Sequence, residues 1–435
     1  MQSVSERPVL AGGAEVLAAL AAQPGGPELL RLAREREDIA LVGGAVRDLM
    51  LGRSPRELDV VVAGATGSLA RELARLLGAS TTVHERFGTA VVAWRQGRID
   101  LAERRAESYP APGALPQVRA GGAEEDLARR DFTVNAISVA LGGSERGNPR
   151  AAEHALEDLR AGRLRVLHDQ SFRDDPTRLL RLARYRARLG FDVEPHTAEL
   201  AAQALAAGAL ETVSRARIGA ELRLALREQD ALAALSALDE LGLLRALASS
   251  PQRDPSLRLD TQLVRRALAL LPADGRPDLL AMASLLLEPT RSDAEDPEQL
   301  AFELLDGLEF TAAERERIMR SALVAPGLVA AMAHATKPSQ LRAALFAHTL
   351  ESVALAGALS ERHGASVASQ AVDWLERLRH VRLAINGDDL LGAGITAGPQ
   401  LGMRLDAALA RKLDGELDDG REAELRAALD ATAER

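Results

Sequence analysis

LVGGAVRDLMLGR occupies residues 41–53, and ELDVVV follows at residues 57–62. The pattern predicts an apolar strand, a diglycine turn, the start of a helix and a second strand that opens with two acids. Gly43 and Gly44 carry no Cβ, so backbone N–H groups beside them can approach phosphate oxygens closely. Arg47, at the start of the predicted helix, adds a guanidinium fork for the same oxygens.

The two acids of the second segment, Glu57 and Asp59, are two residues apart and therefore point to one face of a strand. Hard oxygen ligands on one face suit Mg²⁺, which takes few carboxylates together with substrate phosphates. Asp100, in RIDLA at residues 98–102, lies on another predicted strand. It is either a third acid that orients or deprotonates an attacking hydroxyl, or a surface acid on an edge strand. Together these features predict metal-assisted phosphoryl transfer from a nucleotide.

Composition bounds the remaining possibilities. At 435 residues the chain is too long for one ordinary domain, and two to four are expected. The chain has no cysteine, which excludes a disulfide framework and a thiolate metal site. The start of the chain lacks a signal-peptide pattern and no apolar run approaches the length of a membrane span, so we expect a cytoplasmic protein without a membrane partner. We also see no sign of a protein partner.

Charge is distributed unevenly along the chain. The net charge is −9, and residues 1–150 and 151–230 each contain equal numbers of acidic and basic residues, so the whole acidic excess lies in residues 231–435. Residues 178–188 contain five arginines and no acid. A local basic cluster of this kind can bind phosphate on a protein that is acidic as a whole.

Hydrophobic periodicity predicts an α+β protein. Strands at 39–43, 58–63, 80–84, 89–94 and 98–102, with helices at 8–37, 45–52 and 67–78, predict a small mixed α/β head. Residues 108–123 read as a loop because they contain three prolines and three glycines. From about residue 153 the helical period dominates. We therefore expect a head at 1–150 with a helical lead-in at 1–37, followed by an all-α neck, body and tail at 151–230, 231–380 and 381–435.

A second charged segment, EDLARRDFTVNA, occupies residues 125–136. Arg129 and Arg130 followed by Asp131 suit a triphosphate clamp with an orienting carboxylate. Asn135 can bond a sugar or the backbone. Taken alone, the run is better explained as a helix with solvated charges.

A third segment, DDPTRLLRLARY, occupies residues 174–185. Asp175 is a natural N-cap and Pro176 fits the first turn of a helix. Arg178 and Arg181 follow at steps of three residues and share an arc of about 120° with Asp175. A carboxylate beside a guanidinium can hydrogen-bond a base edge as a templating strand would. The alternative, an N-cap with an internal salt bridge, is compatible with that role.

These segments resemble the class II tRNA nucleotidyltransferase and bacterial poly(A) polymerase family of the DNA polymerase beta superfamily. The family pattern GG-x-V-R-D…D/E-x-D matches residues 43–59. The pattern DL-x-RRDFTINA matches residues 126–136, with Val134 in place of isoleucine, and ED-x-x-R matches residues 174–178, with Asp174 in place of glutamate.

A further family motif, S-x-E-R-x-x-x-E, matches residues 214–221 except that Ala216 stands where glutamate is usual, and we expect it to be structural. The resemblance is close over residues 38–230 and loose over 380–430. It implies a nucleotidyltransferase fold for the head and a role for each matched residue. Mg²⁺ would be held by Glu57 and Asp59, with Asp100 as the third catalytic acid. The nucleotide would be bound by Gly43, Gly44, Arg47, Asp48, Arg129, Arg130, Asp131, Asn135, Asp175, Arg178 and Arg181.

The resemblance implies addition of CMP, AMP or both to the tRNA 3′ end, with ATP and/or CTP as substrates and Mg²⁺ as cofactor. A bacterial poly(A) polymerase shares most of these motifs, but its usual basic C-terminal extension is not seen here. A specialist that adds only CC or only A also fits. A catalytically inactive RNA-binding protein on the same fold is the alternative from another class, and the intact acids and paired arginines argue against it.

Overall fold

The computed structural model describes residues 12–248, 257–291, 296–360, 366–418 and 420–431. These residues divide into two compact units. The first comprises the described residues up to Glu221 together with Leu241–Ala246, and the second comprises Leu222–Glu240 and the described residues from Leu247 onward. Within the described residues, no single helix is both long and apolar enough to cross a membrane, and only one pair of helices, bent by 119°, meets those criteria jointly.

Strands in the described chain all lie in the first unit, where seven of them form one sheet in the order β3-β4-β5-β2-β1-β8-β9. The β2–β5 pair is parallel and the other neighbours in this sheet are antiparallel. The strands are β1 Ile39–Val42, β2 Leu58–Val62, β3 Ser80–His84, β4 Thr89–Trp94, β5 Gly97–Glu103, β6 Arg105–Ser108, β7 Gln117–Ala120, β8 Ile137–Ala140, β9 Pro149–Ala151, β10 Arg163–Leu164 and β11 Asp192–Val193.

Helices join and follow the strands along the chain. Those that begin before residue 222 are α1 Gly13–Ala21, α2 Gly26–Ala33, α3 Gly43–Met50, α4 Thr66–Leu77, α5 Ala123–Ala128, α6 Ala155–Ala161, α7 Ser171–Asp174, α8 Thr177–Leu189, α9 Pro195–Ala206 and α10 Arg215–Leu226, with 3₁₀ turns at Glu85–Phe87, Thr133–Asn135 and Ala209–Thr212.

The two faces of the sheet differ in character because side chains alternate along each strand. One face carries the cross-strand row of Leu41, Val60 and Leu101, all fully buried. Helix α4 supplies the buried residues Leu69 and Leu73 to the same core. The opposite face carries the acids of β2 and β5, so the apolar layer fixes which way the acids point.

The diglycine turn joins β1 directly to α3. Val42 is still extended, with φ −142°, and Gly43 has φ +66°, which takes the chain from strand to helix within one residue. A left-handed φ is accessible to glycine at little cost. The predicted strand–turn–helix–strand order of this segment is confirmed.

A hairpin replaces part of the predicted loop at 108–123. β6 and β7 pair antiparallel, with Ser108 opposite Gln117 and Arg105 opposite Ala120. All four residues of β7 are exposed, so the strand has no apolar alternation to reveal it. The residues between the strands, 109–116, remain irregular.

The second unit is helical throughout its described residues. Its central helix, α18 (Leu350–Ser360), is buried at every residue after the first, as expected for a helix that is apolar on all sides. The fully buried Glu351 of α18 accepts two hydrogen bonds from Arg317, of 2.6 and 2.9 Å, and one from the backbone N–H of Arg276. The helices are α11 Ala231–Glu240, α12 Leu243–Ala248 (which spans the boundary), α13 Thr261–Leu270, α14 Pro277–Arg291, α15 Pro297–Leu305, α16 Ala312–His334, α17 Pro338–Leu345, α18 Leu350–Ser360, α19 Ser366–Glu376, α20 Gly387–Gly392, α21 Pro399–Leu413 and α22 Arg421–Asp430, with a 3₁₀ turn at Leu378–His380.

The predicted fold class, a mixed α/β head followed by helices, is therefore confirmed. The division of the helical part into neck, body and tail stays a prediction, because the structure shows only the two units. The prediction of one helix at 8–37 is wrong in its described part, which forms the two helices α1 and α2, separated where Gly25 adopts a left-handed φ of +77°. Residues 8–11 of that predicted helix lie outside the described residues.

Candidate active site

Two of the predicted acids lie side by side on the sheet face opposite the apolar row of Leu41, Val60 and Leu101. Asp59 on β2 and Asp100 on β5 are direct partners across the parallel pair. Glu57 is exposed and lies one residue before β2. Arg98, two residues before Asp100 on the same strand, donates two hydrogen bonds to its carboxylate, of 2.6 and 2.9 Å. Asp100 therefore forms an ion pair with Arg98, whereas Asp59 forms no ion pair with any basic side chain among the described residues.

Asp59 lies in a strongly charged environment. Burial and the negative charge of Glu57 raise the pKa of Asp59 to about 7, and Asp100 adds to this rise. Arg130 and Arg47 lie close enough to oppose it. The three carboxylates and two guanidiniums therefore interact electrostatically around one point of the sheet.

Arg130 approaches the diglycine turn. A Cβ at Gly43 would lie only 2.6 Å from Nη1 of Arg130, so the guanidinium occupies space that any larger residue would fill. Nη2 of Arg130 donates to Asp126 at 2.9 Å. Its Nε is buried and has no hydrogen-bond partner. A buried donor without a partner is costly, and an anion at this position would satisfy it.

Arg129 is more fully engaged than Arg130. Its Nε and Nη2 donate to Asp126, and its Nη1 donates to Glu107 at 3.1 Å. Asp126 thus accepts hydrogen bonds from both arginines of the pair. It is almost completely buried in the first turn of α5, and the charges of Arg130 and Arg129 outweigh its burial and lower its pKa.

A buried chain of polar groups connects the diglycine helix to α8. Arg47 is 1% exposed, pairs with Asp48 and donates from Nη1 to Oδ1 of Asn135. Asn135 donates in turn to Asp131 at 2.9 Å. Asp131 accepts two further hydrogen bonds from Arg181, of 2.8 and 2.6 Å. Burial alone would raise the pKa of Asp131, but Arg181 and Asn135 hold it well below its usual range.

Helix α8 is anchored to this chain at two further points. Arg188 donates to Oδ2 of Asp48 at 2.8 Å. Glu221 of α10 accepts from Arg181 at 2.9 Å and pairs with Arg184. The motif at 214–221, predicted to be structural, therefore contributes Glu221 to the support of α8.

Asp175 and Arg178 lie at the start of α8. Oδ1 of Asp175 accepts from the backbone N–H and the hydroxyl of Thr177 and from Arg217 at 2.8 Å. Asp175 was predicted to be the N-cap, but α8 begins at Thr177 with Pro176 as its N-cap, so Asp175 lies one residue further out and bonds the first helical residue instead. Arg178 is 4% exposed and donates to the Ser171 hydroxyl at 2.7 Å and the Arg129 carbonyl at 2.8 Å. Both residues are thus held in place by neighbours.

The structure brings the predicted residues together in three groups: the acids Glu57, Asp59 and Asp100; the phosphate-side group of Gly43, Gly44, Arg47, Asp48, Arg129, Arg130, Asp131 and Asn135; and the α8 group of Asp175, Arg178 and Arg181. The first two groups meet at Asp59, which Arg130 and Arg47 approach. The second and third groups meet at the Asp131–Arg181 pair and at the Arg129 carbonyl.

Several supporting residues escaped sequence reasoning. Asp126 lies inside a quoted motif but was given no role, and its spacing of three and four residues from Arg129 and Arg130 was the available signal. Tyr109 contacts Arg178, with the guanidinium carbon 5.9 Å from the ring centre. Arg217 links Asp175 to the Gly113 carbonyl in the loop between β6 and β7. Nothing in the sequence marked either contact, because each joins segments far apart in the chain.

Comparison with known proteins gives two family matches. The Poly A polymerase head domain matches residues 39–165, and the probable RNA and SrmB-binding site of polymerase A matches residues 190–255. An A-adding tRNA nucleotidyltransferase of Halalkalibacterium halodurans is 40% identical over 218 residues, which cover 49% of this chain and 51% of that protein. The chain thus spans about half the length of this relative.

Two further matches extend over more of the relative. The structure of a Thermotoga maritima CCA-adding enzyme complexed with tRNA_CCA superposes with a TM-score of 0.70 at 25% identity, over 97% of this chain and 98% of that one. A CC-adding tRNA nucleotidyltransferase of Deinococcus radiodurans is 38% identical over 262 residues, 59% of this chain and 68% of that protein. With this coverage and the head-domain match, the chain belongs to the class II tRNA nucleotidyltransferase and bacterial poly(A) polymerase family.

Proposed function

We propose that this chain is a template-independent, metal-dependent tRNA nucleotidyltransferase that adds CMP, AMP or both to the tRNA 3′ end. Membership of the family supports this, as do the relatives named for A addition and CC addition. The substrates would be tRNA with ATP and/or CTP, and the cytoplasm would be its place of action.

One observation carries the proposal. Asp59 and Asp100 are cross-strand partners on one face of the sheet. Arg130, whose Nε is buried without a hydrogen-bond partner, lies near Asp59 and brings Nη1 against the diglycine turn. This places carboxylates next to a guanidinium and a glycine backbone. Carboxylates bind a divalent cation, and the guanidinium and backbone bind phosphate. The combination suits transfer of a nucleotidyl group.

The donor set fits Mg²⁺. In the part of the chain that the structure describes, no group of three or more His, Cys, Asp or Glu side chains converges into a complete metal cage. Mg²⁺ is ordinarily held by one or two carboxylates plus substrate phosphates, so a cage is not required. Glu57 and Asp59 would hold the ion. Once bound, it would neutralise charge on the triphosphate and favour ionisation of the attacking hydroxyl.

The reaction forms a bond between the tRNA 3′ oxygen and the α-phosphorus of the nucleotide and breaks the bond from that phosphorus to the β-phosphate oxygen. Pyrophosphate leaves, and the proton of the 3′ hydroxyl must be removed. Asp100 is our candidate acceptor or orienting group for that hydroxyl. Because Arg98 already donates two hydrogen bonds to this carboxylate, Asp100 must release Arg98 or bind it and the 3′ hydroxyl together in order to accept the proton.

The arginines divide into two roles. Arg130, with its free Nε, is proposed to contact the phosphates directly. Arg47 has no exposed surface and is bonded to Asp48 and Asn135, so we propose that it positions the turn and Asn135. Asp175 and Arg178 are proposed to read the base, with Arg181 as their support through Asp131.

Substitution of Asp59 by asparagine tests the assignment. Asp59→Asn keeps the shape of the side chain but removes the charge, so incorporation of nucleotide into tRNA should be lost while thermal stability is retained. Asp38→Asn is the matched control, because Asp38 precedes β1 of the same sheet and its exposed carboxylate pairs with Arg104 at the surface. Near-normal incorporation by Asp59→Asn would overturn the proposed metal site.

A further inference from the structure

An exposed aromatic ring lies among arginines in the second unit, which is acidic overall. Phe346 follows the last residue of α17 and is 60% exposed. The guanidinium carbon of Arg342, one turn earlier, lies 4.2 Å from the centre of its ring. The cation covers part of the ring and leaves most of it open to solvent.

Two more arginines lie near Phe346 and Arg342. Arg320 of α16 donates to the carbonyl of Ala347, next to Phe346. Arg382 is exposed and lies close enough to add to burial in lowering the pKa of Arg342. We call Arg320, Arg342, Phe346 and Arg382 the basic aromatic patch.

The positive charge of the patch is poorly compensated. None of its three arginines forms an ion pair with a carboxylate among the described residues. Asp406 is the one described acid close enough to raise the pKa of Arg342. Nη1 of Arg342 is buried without a hydrogen-bond partner, and so is Nδ1 of the neighbouring His348, whose pKa is lowered by burial and by Arg320.

A second exposed aromatic residue in the same unit, Phe302, provides a comparison for the charge around Phe346. Phe302 is 41% exposed, and the guanidinium carbon of Arg315 lies 5.5 Å from its ring centre. Arg315, however, pairs with Asp306 at 3.7 Å. This ring therefore lies beside a neutralised arginine, whereas Phe346 lies in a surplus of positive charge.

We propose that the basic aromatic patch binds RNA, with an unstacked base on Phe346 and backbone phosphates on Arg320 and Arg382. Aromatic rings stack on bases of any sequence, and unpaired arginines attract phosphates. The proposal rests on the proposed function, in which that RNA is the body of the tRNA substrate. It gives the acidic half of the chain a local surface that can hold a polyanion.

The test measures binding of the full-length protein to tRNA that lacks its 3′-terminal nucleotides, at fixed ionic strength. Phe346→Ala should weaken binding by roughly 5- to 150-fold, the effect of losing one stacked base, and Phe346→Trp should retain it. The double variant Arg320→Gln/Arg382→Gln should lower the slope of log affinity against log salt by about one for each lost phosphate contact. Binding of ATP and CTP should be unchanged in all of them.

Phe302→Ala is the matched control and should leave the tRNA affinity as it is in wild type. Equal tRNA affinity of wild type and Phe346→Ala would overturn the proposal, and so would a change in sedimentation of Phe346→Ala without a change in RNA affinity, which would mark a protein interface. Failure of the wild type to extend any tRNA would instead refute the proposed function, whatever the binding of these variants.

Discussion

At the scale of single residues, the predicted nucleotide-binding residues differ in what they still have to offer a ligand. Arg47 and Asn135 are buried and bonded to protein groups, whereas Arg130 retains a buried nitrogen without a partner. Gly43 is the residue that lets Arg130 approach, because it combines a left-handed backbone with the absence of a side chain. Sequence spacing predicted that these residues belong to one site, but it could not show which of them keep a hydrogen-bonding group available for a ligand.

Gly43 can be tested against a glycine of the same conformation. Gly43→Ala should cost about 1–2 kcal/mol for the left-handed backbone and should also displace Arg130, whose Nη1 would lie 2.6 Å from the new Cβ. Gly52→Ala has a similar φ of +67° but no atom within 4 Å, so it should show the backbone cost alone. Nucleotide affinity, measured by equilibrium binding of ATP and CTP, should fall only for Gly43→Ala. An equal loss for both variants would show that Arg130 does not depend on Gly43.

Base choice is expected to depend on Arg178. Arg178→Ala removes a guanidinium predicted to contact the base edge, so discrimination among the four nucleoside triphosphates should fall by roughly 1–3 kcal/mol, about 5- to 150-fold. The measurement is the rate of incorporation of each nucleotide into a tRNA acceptor. Ser171→Ala removes a hydrogen-bond partner of Arg178 but keeps its charge, and should keep the base preference. A uniform fall in all four rates for Arg178→Ala would assign the residue a structural role.

At the scale of elements, hydrophobic periodicity predicted most helices and strands of the head, but it did not predict the β6–β7 hairpin or which side chains form ion pairs. The strands at 80–84 and 89–94 and the amphipathic helix at 67–78 appear within one residue of the expected bounds, because Leu69 and Leu73 mark a buried face. β7 was missed because it is wholly exposed. Contacts such as Asp131 with Arg181, 50 residues apart, could not be predicted, since nothing local indicates which arginine meets which acid.

The Asp131–Arg181 pair joins the turn after α5 to α8. The free energy of unfolding that this pair contributes should depend on pH. Asp131→Asn should lower the free energy of unfolding by about 1.5–3 kcal/mol at pH 7, because a buried charge-assisted interaction is lost. The pKa of Asp131 is depressed in the folded state, so its stabilisation is complete above the ordinary aspartate pKa and declines as the pH falls below it. Urea unfolding at pH 7 and at pH 3 should therefore show a smaller difference between wild type and variant at the lower pH. A difference that grows on acidification would contradict this assignment.

At the scale of the whole molecule, chemistry and charge are distributed between two units. The first unit contains the acids, the diglycine turn and α8, and residues 1–221, which make up nearly all of it, contain equal numbers of acidic and basic residues. The second unit is acidic overall, yet its arginines are not evenly neutralised. Those around Glu351 and Glu314 are paired, whereas those of the basic aromatic patch are not. Net charge therefore underestimates the ability of this half to contact a polyanion.

The proposed activity is extension of the tRNA 3′ end without a template. It is tested by incubating the purified protein with Mg²⁺, each of the four nucleoside triphosphates in turn, and tRNAs that end before the terminal CCA, after C or after CC. Incorporation of CMP, AMP or both, with a product of fixed length, is the predicted result, and the tRNA end that is extended will identify a CCA-, CC- or A-adding activity. Long homopolymeric AMP tails on unrelated RNA, or no incorporation on any of these tRNAs, would contradict the claim.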